Sequence, residues 1–310
     1  MDRVGYAIRP SNFPAHNMQR TVHELKCFGS RPGEGNAALV VLGDASSEAE
    51  RQAFAREQNR SACVFVDVPG GAGGHRGVSD AAAAASGSAE PADGARFTLD
   101  YYYPHTRSPL CLHATLAAAR VLLREHGAPL TVRTAMRGQL LHLSERGAGV
   151  FVRLQRQPAP DVAIAPELPA ALLGLAGPDQ GAGLRLASPP AIASVGSPKL
   201  LLELPDSAAL QALRPDLVRI AAWSKQHGVS GCYAYARRAD GSVEGRNFNH
   251  LDPALEDSAT GVAAGALTVH LGRALTLHQG ANVGQPCVLR TELDGEHILI
   301  GGAAECVPPA

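Results

Sequence analysis

Runs of β-branched and apolar residues, broken by short polar or glycine-rich stretches, recur along this chain and predict more strands than helices. "TVHELKCF" and "NAALVVLGD" flank the turn "GSRPGEGN" and read as strand, turn, strand. "SSEAERQAFAREQ" sets serine ahead of acidic residues, the arrangement that caps a helix N-terminus, and "SACVFVDV" after it reads as a buried strand. "ARFTLDYYYP", "TVRTAM", "LLHLSER" and "GVFVRLQR" continue as strands, and alternation persists through "AIASVGSPKLLLEL". Helices are predicted at "SAALQAL" and around "LVRIAAWSKQHG", and strands at "SGCYAYARR", "PCVLRTEL" and "HILIGGAAECV".

Two further helices are apolar on nearly every side: one in "PLCLHATLAAARVLL", residues 109–123, and one in the Ala- and Gly-rich run after "EDSATG". A helix without a polar face must be buried, most simply by the sheet of its own half. The two open alike, "HATLAAA" and "SATGVAAGA", which suggests a duplicated fold. Residues 1–20 show no period and read as an arm, with Met18 a candidate start of the folded part. Residues 70–94 are Gly, Ala, Ser and Asp with little to bury, so a flexible surface insertion is expected.

Composition narrows the classes. With 310 residues, 45% hydrophobic and 18% charged, the chain can bury two ordinary cores. A net charge of −1 sets up no field for gathering nucleic acid or anionic lipid. No run approaches the ~20 apolar residues of a membrane span, and the N-terminal residues lack the apolar stretch of an export signal. Neither nucleic acid nor membrane is expected as a partner. The six cysteines are scattered, with no C-x-x-C pair or zinc-site spacing, and read as reduced thiols in a cytoplasm, with no metal.

An ordered set of motifs, "GEGNAALVVL", "FAREQNRSACVFV", "YYYPHTRSPLCLHATLAAARVL", "SVGSPKLLLEL", "EDSATGVAAGAL" and "HQGANVGQPCVL", resembles the phenazine-biosynthesis PhzF-like isomerases. These are relatives of diaminopimelate epimerase and proline racemase. The resemblance runs from about Val22 onward. It implies an α/β (α+β) fold of two similar domains, each a curved sheet or barrel around a central helix, with the active site in the interdomain cleft. On that reading residues 21–145 with 293–310 form the first domain and 146–292 the second. It also implies a homodimer and a proton shift on a small carboxylic or amino acid in specialised metabolism, without metal or cofactor. Helix N-termini facing the substrate suit a carboxylate or enolate, because their amides and dipole favour negative charge.

The resemblance assigns roles residue by residue. Asp257 in "EDSATG" takes the place of the family's acid, where it can hold or relay a proton. His113 takes the active-site histidine position. Cys111 stands where thiol-dependent relatives carry one catalytic cysteine; its counterpart in the second half is expected at Ser258, so no thiol pair is formed. Asn36, Leu112, Ala62, Thr260, Gly261, Val262 and Arg107 are the implied substrate-facing positions. His105, His142 and His250 lack such context and read as surface or structural residues.

Four of these positions depart from the family pattern. Ala62 stands where the principal acid/base glutamate is expected, and a methyl group transfers no proton. Glu57 belongs to a helix surface and does not fill that gap. Leu112 replaces a glycine, Val262 a serine, and Arg107 stands where an acidic residue is common in the family; as a guanidinium it can meet a carboxylate or face water. The alternatives to an isomerase are a lyase, cyclase or hydrolase that uses the same helix amides, or a non-catalytic binding protein.

Overall fold

The computed structural model describes residues 20–68, 93–174, 184–248 and 256–307. Most of the expected arm (1–19) and most of the expected flexible insertion (69–92) lie outside the described residues. In chain order the elements begin with β1 (Thr21–Cys27), β2 (Asn36–Leu42), α1 (Glu48–Gln58), β3 (Ala62–Asp67), β4 (Phe97–Tyr102) and β5 (Arg107–Ser108). Then come α2 (Leu112–His126), β6 (Leu130–Thr134), β7 (Leu140–Arg146), β8 (Gly149–Gln155), α3 (Leu168–Leu173), β9 (Ala191–Ala193) and β10 (Lys199–Glu203). They continue with α4 (Ser207–Ala212), α5 (Leu217–His227), β11 (Cys232–Arg237), β12 (Val243–Phe248), β13 (Glu256–Asp257) and α6 (Gly261–Leu271). The last strands are β14 (Leu275–Gln279), β15 (Cys287–Asp294), β16 (His297–Gly302) and β17 (Ala304–Cys306).

The chain divides into two compact units. The first holds residues up to Cys27, Ala37–Val152 and the chain from Ala304; the second holds Phe28–Asn36 and Arg153–Ala303. A boundary at 293 would cut the β15–β16 hairpin, whose register runs from Arg290↔Gly301 to Asp294↔His297, so the whole hairpin belongs to the second unit. Residues 146–152 stay with the first.

In the first unit the strands pair in the order β17, β1, β2, β3, β4, β6, β7, with β2/β3 and β4/β6 parallel and β5 set against the end of β4. Helix α2 packs on β1 and β17 near one end of that order, on β3, and on β7 at the other end, so the sheet curves around it. Leu112 to Ala119 and Val121 to Leu123 are all buried, as an all-round apolar helix requires. Helix α1 covers the other face: Phe54 and Ala55 pack with Leu39, Val41, Cys63, Phe65 and Tyr102. Its N-terminus is closed by a capping box, with Ser47 and Glu50 each bonding the other's backbone amide.

The second unit repeats this plan: β9, β10, β11, β12, β14, β15, β16, with β10/β11 and β12/β14 parallel and β13 set against the end of β12. Helix α6 packs on β9 and β10 and on β14, β15 and β16, and is again enclosed by its sheet. The alternation of β10 divides the faces. Leu200, Leu202 and Leu204 join Cys232, Ala234, Phe248, Leu210 and Ile220 in a core with α3, α4 and α5, which leaves Lys199 and Leu201 on the face that carries α6.

The duplication is therefore real in topology, but the matching Ala-Thr pairs do not carry it. Two-residue strands fix the correspondence: Tyr101↔Ser108 and Asn247↔Asp257 are equivalent pairs, and each helix starts four residues later, at Leu112 and at Gly261. Thr115 thus lies inside α2, donating to the Cys111 carbonyl at 2.8 Å, whereas Thr260 is the N-cap of α6.

Close packing of α6 depends on Gly265, where an added Cβ would stand 2.6 Å from Ile300 Cδ1 and 2.7 Å from Val195 Cγ2. Alanine at a helix interior gains about 1 kcal/mol over glycine, but overpacking costs about 1–3 kcal/mol. Gly265→Ala is expected to lower the unfolding free energy by about 1–2 kcal/mol in urea titration; a rise in stability would show that the helix is not tightly enclosed.

Candidate active site

In the first unit the opening of α2 brings together three of the expected residues. Cys111 is the N-cap, in extended conformation, and its side chain makes no capping bond. Cys111 Sγ lies 3.3 Å from His113 Nδ1. Both are buried, as is Leu112, and burial pushes the His113 imidazole down to about 4, so it is neutral at pH 7. His113 can therefore donate or accept a hydrogen bond but does not present a cation. Ala62 is fully buried at the start of β3.

Arg107 is held elsewhere. Its Nε and Nη2 grip the two oxygens of Asp100 at 2.8 and 3.1 Å, and Nη1 meets Glu48 of α1. Asp100 also bonds Arg51 of α1 and Tyr102, so the guanidinium belongs to an ion-pair cluster on the α1 face of the sheet. Its equivalent in the second unit is Glu256, gripped by Arg246 at 3.0 and 2.8 Å: the same cross-strand pair with its charges exchanged. That repetition marks the pair as part of the scaffold, with the Arg107 side chain still partly exposed. Glu57 is exposed on α1 and His105 and His142 are exposed, as expected; His250 lies outside the described residues.

The second unit assembles a polar network at the opening of α6. Asp257 Oδ2 accepts from Asn247 Nδ2 at 2.7 Å and from the Thr260 hydroxyl at 3.1 Å. Gln279 Nε2 donates to the Asp257 carbonyl at 2.8 Å and to Thr260 Oγ1 at 3.1 Å, while its Oε1 accepts from the Tyr233 hydroxyl at 3.3 Å. Register explains the convergence. Tyr233↔Asn247↔Asp257 lie in one row across β11, β12 and β13, and Gly245, two residues from Asn247, pairs Gln279. A Cβ on Gly245 would stand 2.1 Å from the Tyr233 hydroxyl, so glycine there lets the tyrosine lean across β12 to Gln279. Gly261 is buried at the first position of α6 and Val262 half-buried at the second.

Thr260, turned towards Asp257, does not cap its own helix. The contrast is with α1, α4 and α5, whose N-caps Ser47, Asp206 and Asp216 each accept from a first-turn amide. The counterpart of Cys111 is thus Thr260 by register, and not Ser258. Ser258 instead bonds Cys287, whose thiol burial pushes up to about 12 while bonds from the Asn36 amide and Ser258 oppose the shift. Asn36 is buried with its Oδ1 unpartnered among the described residues, and so is the Oδ1 of fully buried Asn247.

Asn247, Gln279 and Tyr233 of this network were not anticipated from the sequence, and neither was a buried lysine in the same unit. Lys199 is 2% exposed, and its ammonium donates to the Ser230 carbonyl. Burial pushes it down to about 8, opposed by the Asp257 carboxylate. The signal available in the sequence was a lone lysine at the head of an apolar strand, "PKLLLEL".

With this geometry in place, comparison with known proteins is decisive. The model of the family described as phenazine biosynthesis-like protein, PhzC-PhzF, matches residues 25–307. The chain belongs to that family. An uncharacterized isomerase of Deinococcus radiodurans is 31% identical over 91% of this chain and 91% of its own. The trans-2,3-dihydro-3-hydroxyanthranilate isomerase of Pseudomonas chlororaphis is 28% identical over 87% of this chain and 89% of its own. Among solved structures, the Bacillus anthracis phenazine biosynthesis protein of the PhzF family aligns with a TM-score of 0.69 at 20% identity, covering 94% and 98% of the two chains, and shares the fold. The epimerase-like α/β fold and an isomerase of the PhzF type follow.

His113 gives a direct check. Its folded value lies below the usual 6.5, so the unfolded chain binds the extra proton between about pH 6.5 and 4. The stability it contributes is complete above 6.5 and is lost as pH falls towards 4, amounting to about 3 kcal/mol at most. The His113 ring resonance should show no midpoint between pH 5 and 8 by NMR. A midpoint near 6.5 would mean the ring is solvated.

Proposed function

We propose that this chain is a cofactor-independent isomerase that shifts a proton on a small carboxylic or amino acid, with Asp257 as the proton-handling group. The observation that carries the reading is the carboxylate of Asp257, fixed by Asn247 and Thr260 at the opening of α6. Thr260, spent on the carboxylate, leaves the helix without a side-chain cap, so first-turn amides stay available to the negative charge of a carboxylate or enolate. An enolate forming there draws on dipoles that are already oriented.

On this reading Asp257 takes the proton from carbon in its ionised form and returns it from its carboxyl form, while the buried amide of Asn247 holds the group in one orientation. His113, neutral at pH 7, serves as a hydrogen-bonding group and Cys111 as its polar neighbour. In the second unit Asn36, Gly261 and Val262 are the proposed substrate-facing positions. The Pseudomonas chlororaphis relative, named for trans-2,3-dihydro-3-hydroxyanthranilate, supports a small unsaturated acid as the substrate class, and specialised metabolism is proposed as its setting. A cytoplasmic homodimer completes the proposal.

Incubating the chain with unsaturated and α-amino carboxylic acids in D₂O, and following carbon-bound deuterium by NMR, tests this. At least one acid should exchange, and Asp257→Asn should slow that exchange by about 100-fold or more. Exchange that persists unchanged in Asp257→Asn, or a panel that binds and never exchanges, contradicts the proposal.

A further inference from the structure

The second unit carries a buried chain of hydrogen bonds that its scaffold does not need. Tyr233, Gly245, Asn247, Asp257 and Gln279 occupy the places that register in the first unit gives to Val64, Leu99, Tyr101, Ser108 and Thr134. There a valine and a leucine stand where the second unit has a tyrosine and a glycine, and the sheet still closes around its helix. Burying polar groups instead is costly unless each finds a partner.

The chemistry of the partners fixes which way each bond points. The Asp257 backbone carbonyl can only accept, so the Gln279 atom 2.8 Å from it is the amide nitrogen, and Gln279 Oε1 faces Tyr233. Burial pushes the Tyr233 hydroxyl up, so it keeps its proton and donates to that oxygen at 3.3 Å. The other Nε2 proton goes to Thr260 Oγ1 at 3.1 Å. An amide nitrogen does not accept, so the single proton of the Thr260 hydroxyl goes to Asp257 Oδ2, 3.1 Å away. Asn247 Nδ2 aims a second proton at the same oxygen from 2.7 Å. Each bond of the chain therefore runs from Tyr233 towards Asp257.

We infer that Gln279 and Tyr233 are positioning residues that act through Thr260: they hold its hydroxyl as a donor to Asp257 Oδ2 and so make Oδ1 the oxygen that handles the substrate's proton. This rests on the role proposed for Asp257. Oδ2 already accepts two hydrogen bonds, and the donors stand where a carboxyl hydrogen would sit. When the substrate's C–H bond breaks, the O–H bond forms on Oδ1 and the electron pair stays on the substrate as an enolate; the return step reverses this. Gly245 opens the path for the chain, since a Cβ there would stand 2.1 Å from the Tyr233 hydroxyl. A tyrosine and a glutamine that only filled space would leave the carboxylate's titration unchanged.

Labelling aspartate at its ¹³C-carboxyl lets the Asp257 midpoint be read by NMR in the full chain, without any substrate. Thr260→Val removes one donor to the ionised form and should raise the midpoint by about 1 pH unit. Gln279→Met, and separately Tyr233→Phe, should raise it by about 0.5 pH unit or more while Thr260 is present, and leave it unmoved in a Thr260→Val chain. Lys199, Cys287 and Glu256, the other ionisable groups beside this carboxylate or its neighbours, are the same in every variant, so their fields cancel. A midpoint unchanged by both substitutions, or a shift as large in Thr260→Val as with Thr260 in place, overturns the inference, because the effect would not pass through the hydroxyl. If Gln279→Met does not fold, Tyr233→Phe, which removes a single oxygen from the far end of the chain, decides alone. Because no acid is converted in this titration, its failure leaves the D₂O result standing, and failure of the D₂O exchange leaves the direction of the chain intact.

Discussion

A helix with no polar face has to be enclosed, and the arrangement of each unit follows from that constraint. Helices α2 and α6 are buried along almost their whole length, and each is reached by strands from both ends of its own sheet. Enclosure leaves the N-terminus as the part of the helix where unpaired amides remain. A two-residue strand four positions upstream pins each opening to the sheet, which makes Ser108 in one unit and Asp257 in the other the residues tied to the start of the helix. The proton chemistry proposed for Asp257 depends on this tie, since a carboxylate on a free loop would not be held by Asn247 and Thr260.

The two units share a scaffold and differ in what they place on it. Asp100 with Arg107, and Arg246 with Glu256, occupy equivalent positions with opposite signs, so the ion pair is kept while its polarity is free. Along the helix-facing side the substitutions run one way. Val64, Tyr101 and Ser108 of the first unit correspond to Tyr233, Asn247 and Asp257 of the second, and Ala38 corresponds to Lys199. The second unit concentrates buried polar groups, each with a named partner, around one carboxylate. Such networks are stable only when satisfied, which gives weight to the unpartnered Oδ1 of Asn247.

Most of the scaffold was legible in the sequence because its periods are strong. The Ser47 cap, the apolar body of α2 and the strands from "SACVFVDV" to "HILIGG" lie where the patterns place them. β12 and β14 were not anticipated, and the reason is chemical: "VEGRNF" and "LTLHQ" carry Gly245, Asn247 and Gln279 on the face where a strand would ordinarily show apolar residues. Asp257, Thr260 and the Cys111–His113 contact were reachable from motifs. The ion pair of Arg107 was not read because its partner Asp100 lies seven residues away on another strand, and Lys199 was passed over because a single lysine in an apolar run announces neither burial nor neighbour.

The most direct measurement is a crystal structure of the chain with a bound small carboxylic acid that it converts. The account predicts the reacting carbon within about 3–3.5 Å of an Asp257 carboxylate oxygen, with the acid's own carboxylate on first-turn amides of a central helix. An acid bound with its reacting carbon remote from Asp257, and that carboxylate still closed off by Asn247 and Thr260, would contradict it.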